Sequence, residues 1–331
     1  MIAFLEAPLQ IFAGLAFTGA LGWSALAIRY WNRGSVTQRR WLARAWGAGW
    51  LAFVVASTCS VTSLIAFWVA FGLLFLAWLS IPPCRNLEWE PWYARQSRGE
   101  LEEDRLRIRD LRNFRWRSRT DADPAWETRE YDLRELQGVD FITSSWGVRG
   151  VVHTLASFRF GEDEYLCLSI ETRLERGETQ NPVAGLFKQY ELVYLFADER
   201  DVLALRTNVR LEQTRIFPLT LTPEKARQLL IGSVESANRL AERPRFYNTL
   251  WRNCLTSFVP ILSKSHQLGF DLSMILNGNF DAFGVERQLI DTELPIEQAR
   301  ERFAADEHGR SKPDLADFSR RVRPWRYESP Q

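Results

Sequence analysis

Charge-free sequence at the start constrains this chain more than any other feature. Residues 9–28, LQIFAGLAFTGALGWSALAI, carry no charged side chain, and neither do residues 47–81. A helix needs about 20 apolar residues to cross a hydrocarbon core of about 30 Å, so the first run is long enough. The second is too long for one span, since at ~1.5 Å per residue it would reach ~50 Å. Two readings stay open for it: a tight two-helix hairpin breaking near Ser57 to Ser60, or one span from about residue 60 to 81 preceded by an interfacial segment. Pro82 and Pro83 end the last helix. Between the runs, residues 29–46 hold five arginines and no acid, which the positive-inside rule places in the cytoplasm. One further span then puts the rest of the chain outside the cytoplasm, whereas a hairpin returns it. The start lacks a basic first segment and a small-residue cleavage site, so the first run reads as a retained anchor.

Past residue 83 the composition becomes that of a charged globular protein. A net charge of +1 over 331 residues gives no basic excess for a nucleic-acid partner. The cysteines are Cys59, Cys84, Cys167 and Cys254. None are spaced as a metal or redox pair, and no metal or cofactor is expected. Cys84 follows Pro83 where a lipoprotein signal wants a small residue, so no lipid is expected there. The sequence divides into an anchor (1–83), a linker (84–104), a soluble domain (105–303) and a polar extension (304–331) that reads as an extended wrap or disordered. Trp89 and Trp92 in the linker suit either a membrane interface or packing on the domain.

Residues 105–118, 139–145, 151–160 and 165–172 read as strands, and 190–207 as a strand pair around a polar turn. A helix starts at Thr222, which caps it, with Pro223 in its first turn and an apolar stripe through Leu229, Leu230, Val234 and Leu240. Another begins at Asn253 or Cys254 and continues through Phe258. The pattern is α+β, an antiparallel sheet with helices to one side.

The hairpin 151–172 fixes a candidate site. Ala156, Phe158 and Phe160 share one face of the first strand; Leu166, Leu168 and Ile170 share one face of the second. Burying both sets together makes residues 153 and 171 opposite, each nine from Glu162. His153 and Glu171 then project on the less apolar face with Cβ atoms ~5 Å apart, where a carboxylate holds an imidazole in one tautomer and favours its charged form. Cys167 shares that face too far along to partner His153. Of the other histidines, His308 sits in the polar tail and His266 has no patterned context. Cys254 opens an apolar helical segment, where unpaired N–H groups and the helix dipole lower a thiol's pKa. Asn253 and the Cys254 amide are placed to hold an oxyanion. Arg173 and Arg176 are candidates for a phosphate headgroup, and the turns at 147–150 and 177–182 adjoin the same hairpin. Each has a plainer reading: a lone helix cysteine is usually packing, a strand histidine beside a glutamate is usually structural, and most arginines are solvated. No spacing shows that Cys254 meets His153.

At these residues the sequence resembles the Lnb N-terminal periplasmic domain family, a distant branch of the permuted NlpC-type, papain-like enzymes. The stretches that carry the resemblance include RNFRWRSRTDADPAWETREYDL, GVVHTLASFRF, SIETRLERGE, KQYELVYLFADERDVLALRTN, ANRLAERPRFYNTLWRNCLTS, LIDTELP and DFSRRVR, over nearly all of 105–325. The resemblance implies a permuted papain-like domain with His153 before Cys254 as the pair, and a polar third member on the strand after the histidine, Glu171 by position or else Ser169. It implies a bacterial inner-membrane anchor with the domain in the periplasm, which favours two spans with 47–59 partly interfacial; three spans is the second choice. The family's namesake is a lipoprotein N-acyltransferase, so the resemblance implies a cysteine acyltransferase with phospholipid as donor and a lipoprotein or envelope peptide as acceptor. An NlpC-type peptidase or amidase and a non-enzymatic envelope scaffold are the competing readings. Leu255 stands where the family pattern wants a small polar residue, and spans precede a single soluble domain, so the substrate does not follow from the family.

Overall fold

The computed structural model describes residues 3–31, 35–56, 60–84, 87–147, 152–258, 280–310 and 317–327, with side chains from Ile11 onward. His266, Cys59 and most of the 147–150 turn lie outside them. The chain forms two compact units: Met1–Cys84 with Gln180–Gln189, and Arg85–Thr179 with Tyr190–Gln331.

The first unit is helical: α1 (Ala3–Arg29), α2 (Val36–Ala56) and α3 (Val61–Leu79). Two helices, over Ile11–Arg29 and Val61–Leu79, are long and apolar enough to cross a membrane. The uncharged run 47–81 divides between the end of α2 and all of α3, with Ser60 capping α3 by accepting from the Ser63 amide. The basic stretch is not a loop: Arg39, Arg40 and Arg44 lie on α2, because Gln, Arg, Leu and Ala there are good helix formers. Phe17, Ala20, Val54 and Phe67 form the small core between these helices. Segment Gln180–Gln189 completes the unit. Lys188 Nζ donates to the carbonyls of Trp78 and Leu79, each at 2.9 Å, adding a charged donor at the end of α3, where intrahelical partners run out.

The second unit is built on an eight-stranded sheet. Its strands are β1 (Arg98–Glu102), β2 (Arg105–Arg112), β5 (Trp126–Asp132), β6 (Leu136–Ser145), β7 (His153–Phe160), β8 (Glu164–Arg173), β9 (Glu191–Asp198) and β10 (Gln213–Pro218). A short pair, β3 (Arg115–Trp116) and β4 (Ala122–Asp123), stands apart. The order is β1-β2-β9-β8-β7-β6-β10, with β5 also on β2; all neighbours are antiparallel except β2 and β9. Residues 98–102, read above as linker, are therefore the edge strand β1. Gly99 lets α5 (Pro223–Glu242) approach closely, since a Cβ there would collide with Val234. Asn238 on α5 brackets the Gly99 peptide, accepting from its N–H at 3.0 Å and donating to its carbonyl at 2.7 Å.

Helices cover both faces rather than one. Ala156, Phe158, Leu166, Leu168 and Phe196 pack with α5 and with Leu255 and Phe258 of a helix, α6, described over 254–258. On the other face Ile142, Leu155, Cys167 and Ala197 pack with Val202 and Leu203 of α4 (Glu199–Ala204). Residues 199–207 are helical and not a second strand, because Asp198 caps α4 by accepting from the Arg200 amide. A π-helical turn, Leu205–Arg210, continues α4. The polar extension is not loose: Phe318 and Val322 enter the second core, and fully buried Arg323 bonds Asp140 at 2.6 Å and Glu199 at 2.8 Å.

Candidate functional site

The register of β7 and β8 matches the parity argument: Ala156 pairs with Leu168 and Leu155 with Ser169, which places 153 opposite 171. The ladder, however, ends at Leu155–Ser169. His153 still pairs with Ser144 on β6, and Glu171 with Val193 on β9. The two strands thus part at their open ends, and the site lies at that parting.

On one face, His153 Nε2 lies 2.8 Å from Ser169 Oγ and 3.6 Å from Glu171 Oε1. Ser169 donates to Glu171 Oε1 at 2.5 Å, and Tyr93 donates to Glu171 Oε2 at 2.5 Å. Arg206, buried on the π-helical turn, lies 3.3 Å from Glu171 Oε1. The structure brings Glu171 and Ser169 to the histidine together, so they are not alternatives. Because Ser169 gives its proton to the carboxylate, its oxygen accepts from His153 Nε2–H. That fixes the tautomer and leaves Nδ1 as the basic nitrogen.

The charge on His153 differs from the expectation. Burial and Arg206 push its pKa down to about 3, with Arg210 acting in the same sense, and Glu171 opposes them. The imidazole is neutral. Burial pushes the Glu171 carboxyl up, but His153, Arg206, Arg112 and the Ser169 hydroxyl hold it well below its usual range. With the imidazole neutral at pH 7, the arginines and Ser169 keep it ionised. Burial and the Glu171 charge raise the Tyr93 hydroxyl, which keeps it a donor.

Cys254, 7% exposed, opens α6 on the other face. Asn253 caps that helix: its Oδ1 accepts from the amides of Leu255 and Thr256 at 3.0 and 2.8 Å, and its Nδ2 donates to the Thr249 carbonyl at 2.9 Å. Its side chain therefore orients the thiol instead of standing ready for an oxyanion. The Cys254 pKa is raised, not lowered. Burial dominates over hydrogen bonds from the Thr154 hydroxyl, the Thr154 amide, and the amides of Leu255 and Cys254. The desolvation of a thiolate outweighs the helix dipole and these hydrogen bonds. Thr154 follows His153 on β7, so their side chains point to opposite faces. Cys254 is not among the groups that shift His153.

The other candidates fall elsewhere. Arg173 is buried, donating to the carbonyls of Tyr93 at 2.9 Å and Ala94 at 3.1 Å, with its guanidinium 4.1 Å from the Trp89 ring centre. It anchors the segment before β1 and does not face a ligand. Arg176 is exposed in the turn after β8, where its amide donates to the Glu88 carbonyl. His308 is exposed on a short helix, α7 (Asp306–Gly309), and buried Cys167 lies opposite Ser157. Sequence reasoning missed Tyr93, Arg206 and Thr154. Thr154 was recoverable as the neighbour of His153; the other two reach the site only through tertiary packing. No group of metal-ligating side chains occurs among the described residues.

Residues 122–277 match the Lnb N-terminal periplasmic domain family. The match spans His153, Ser169, Glu171, Arg206 and Cys254 and begins after Tyr93 and the three N-terminal helices. No curated protein and no solved structure matches the chain. A match to the Lnb periplasmic domain family, with helices of membrane-spanning length and composition over Ile11–Arg29 and Val61–Leu79, is consistent with a membrane-anchored protein of the periplasm.

Proposed function

We propose that this protein is a periplasmic thiol acyltransferase, anchored in the inner membrane, whose Lnb domain uses the permuted papain-like order of His153 and Cys254. The observation that carries the reading is the parting of β7 from β8. It leaves the Thr154 amide free to hydrogen-bond Cys254 on one face, while Ser169 and Glu171 fix His153 with Nδ1 basic on the other. A closed ladder would hold the two residues on separate faces; at the open end the chemistry requires the His153 side chain to release Ser169 and turn toward the thiol.

The chemistry follows from the protonation states. Burial keeps the thiol protonated, so it needs a base; the neutral His153 imidazole becomes a competent one when its side chain turns away from Arg206 and Arg210, which lower its pKa. Nδ1 takes the thiol proton and the sulfur attacks the ester carbonyl of an acyl lipid. The amides of Thr154 and Cys254 lie where the tetrahedral oxyanion forms. Collapse breaks the carbon–oxygen bond, and the departing alkoxide takes the proton from the imidazolium. An amine, from a lipoprotein or envelope peptide, then attacks the thioester, loses its proton through Nδ1 and restores the thiol. Water in place of the amine makes the same site a hydrolase.

Intact-protein mass spectrometry after incubation with phospholipid tests this. Wild type should gain one acyl chain that hydroxylamine removes, and Cys254→Ser should show no hydroxylamine-labile gain. Wild type left unmodified even by a thiol-reactive lipid probe would reject the reading and favour a packing cysteine in an envelope scaffold. An adduct cleared by water alone would make the enzyme a hydrolase.

A further inference from the structure

The two arginines nominated from sequence for a phosphate are committed elsewhere or exposed on a turn, yet a cationic cavity lies beside the cysteine helix. It has a volume of about 550 Å³ and is walled by α5, β9, the turn after α5 and α6. Thr256 and Ser257 of α6, two and three residues after Cys254, face it. Four guanidinium groups, Arg239, Arg243, Arg245 and Arg252, line it against one carboxylate, Glu242. A second carboxylate, Glu235, lies 3.3 Å from Arg239 along α5.

Arg239, Arg245 and Arg252 line the cavity together with Tyr194, and all three lower the pKa of its hydroxyl, which burial nonetheless raises to about 12. Arg252 is partly buried and donates to the Phe246 carbonyl at 3.1 Å. Burial and its neighbour Arg245 both lower its pKa. Like charges packed this closely repel unless an anion joins them. Ser257 Oγ is buried at the cavity wall beside the Tyr194 hydroxyl, whose pKa it lowers, so the cavity also carries a buried hydroxyl donor. At the rim, Trp251 is 70% exposed beside the partly exposed Leu250. An indole exposed next to a cationic site suits the headgroup level of a bilayer.

We propose that this cavity binds the phosphate of an anionic phospholipid headgroup, with Arg243 and Arg245 as its accessible donors and Trp251 resting among the lipid chains. This deepens the acyltransferase reading by naming the donor's headgroup class, and rests on that reading only for what happens to the acyl chain afterwards. Zwitterionic lipids fit less well, because their cationic end meets the same arginines.

Calorimetric titration of the full chain in non-ionic detergent, with dihexanoylphosphatidylglycerol as probe, tests it. Partition into micelles is common to all variants, so differences between variants report the site. Wild type should bind saturably, and R243Q/R245Q at least tenfold more weakly. Both side chains are exposed and make no side-chain hydrogen bond among the described residues, so this variant should melt with wild type; Trp251→Ala is a second, independent variant expected to weaken binding. Dihexanoylphosphatidylcholine should bind less tightly to wild type than the anionic probe. Equal binding of the anionic probe by wild type and R243Q/R245Q would overturn the proposal. So would inorganic phosphate binding as tightly as the lipid, which would mark a free-phosphate site, or tetraglutamate displacing the lipid at equal concentration, which would mark an acidic-peptide site. Cys254→Ser should bind the probe as wild type does. Retained binding with no acyl adduct on Cys254 would reject acyl transfer and leave the headgroup site standing.

Discussion

The two faces of the central sheet are held by different physics. On the α5 face, Ala156, Phe158, Phe160, Leu166, Leu168 and Phe196 bury apolar surface against Leu229, Leu230 and Leu255. That interaction is non-directional and grows with area. On the α4 face the same strands bury ions. Arg323 joins Asp140 and Glu199, Ser157 donates to Glu199 at 2.5 Å, and Arg112 meets Asp201 through two bonds of 2.9 and 3.0 Å. Desolvating those charges is costly and is offset only when every partner is present. The difference teaches where each face is vulnerable: the first to lost volume, the second to a single missing partner or proton.

Removing one large group from each face should cost most. Phe158→Ala and Arg323→Ala should each lower stability by about 3–5 kcal/mol, the first by opening a cavity and the second by stranding Asp140 and Glu199. Urea denaturation at pH 7 measures both. Replacing all three charges by apolar residues of similar volume should recover much of the Arg323→Ala loss; if it does not, the contrast between the faces fails.

A pH series sharpens the comparison further. His153 has a folded pKa of about 3, below its unfolded value of about 6.5. The unfolded chain therefore binds a proton that the folded chain refuses. The resulting stability is present above about pH 6.5 and declines as pH falls toward 3. His153→Gln should flatten the slope of the urea midpoint across that window, whereas Phe158→Ala should shift the midpoint and leave the slope unchanged. Glu171, depressed by its partners, adds a loss below its unfolded value of about 4.3. A smaller effect belongs to Asn253→Ala, which removes the α6 cap at a cost of about 1 kcal/mol and should slow acyl-adduct formation more than that loss alone implies. Least of all, Arg176→Ala on the exposed turn should leave stability within about 0.5 kcal/mol.

Sequence carried the local part of this structure. Side-chain alternation in β7 and β8 fixed their register, because a slip of one residue would turn Phe158 and Leu166 to the wrong face. Thr222 and Pro223 announced α5 for reasons confined to its first turn. What stayed hidden depends on distant chain. Arg206 reads as part of an apolar strand until Asp198 is seen capping α4. Tyr93 reads as linker until it reaches Glu171, 78 positions later. The thiol's raised pKa was missed because the helix dipole is visible in sequence and burial is not. The tail read as loose because its one decisive residue, Arg323, answers acids on β6 and α4.

The helical unit of this protein is discontinuous in sequence, and that sets an order on its synthesis. Its three helices end by Leu79, yet the segment that supplies Lys188 begins only at Gln180. At translation rates of about 5–20 residues per second, that segment is made about 5–20 s later. Until then the carbonyls of Trp78 and Leu79 lack the Lys188 ammonium, and Trp78 keeps only backbone bonds from the end of its own helix. A nascent chain stalled before Gln180, or a fragment cut at Cys84, should therefore carry an α3 that frays at its last turn.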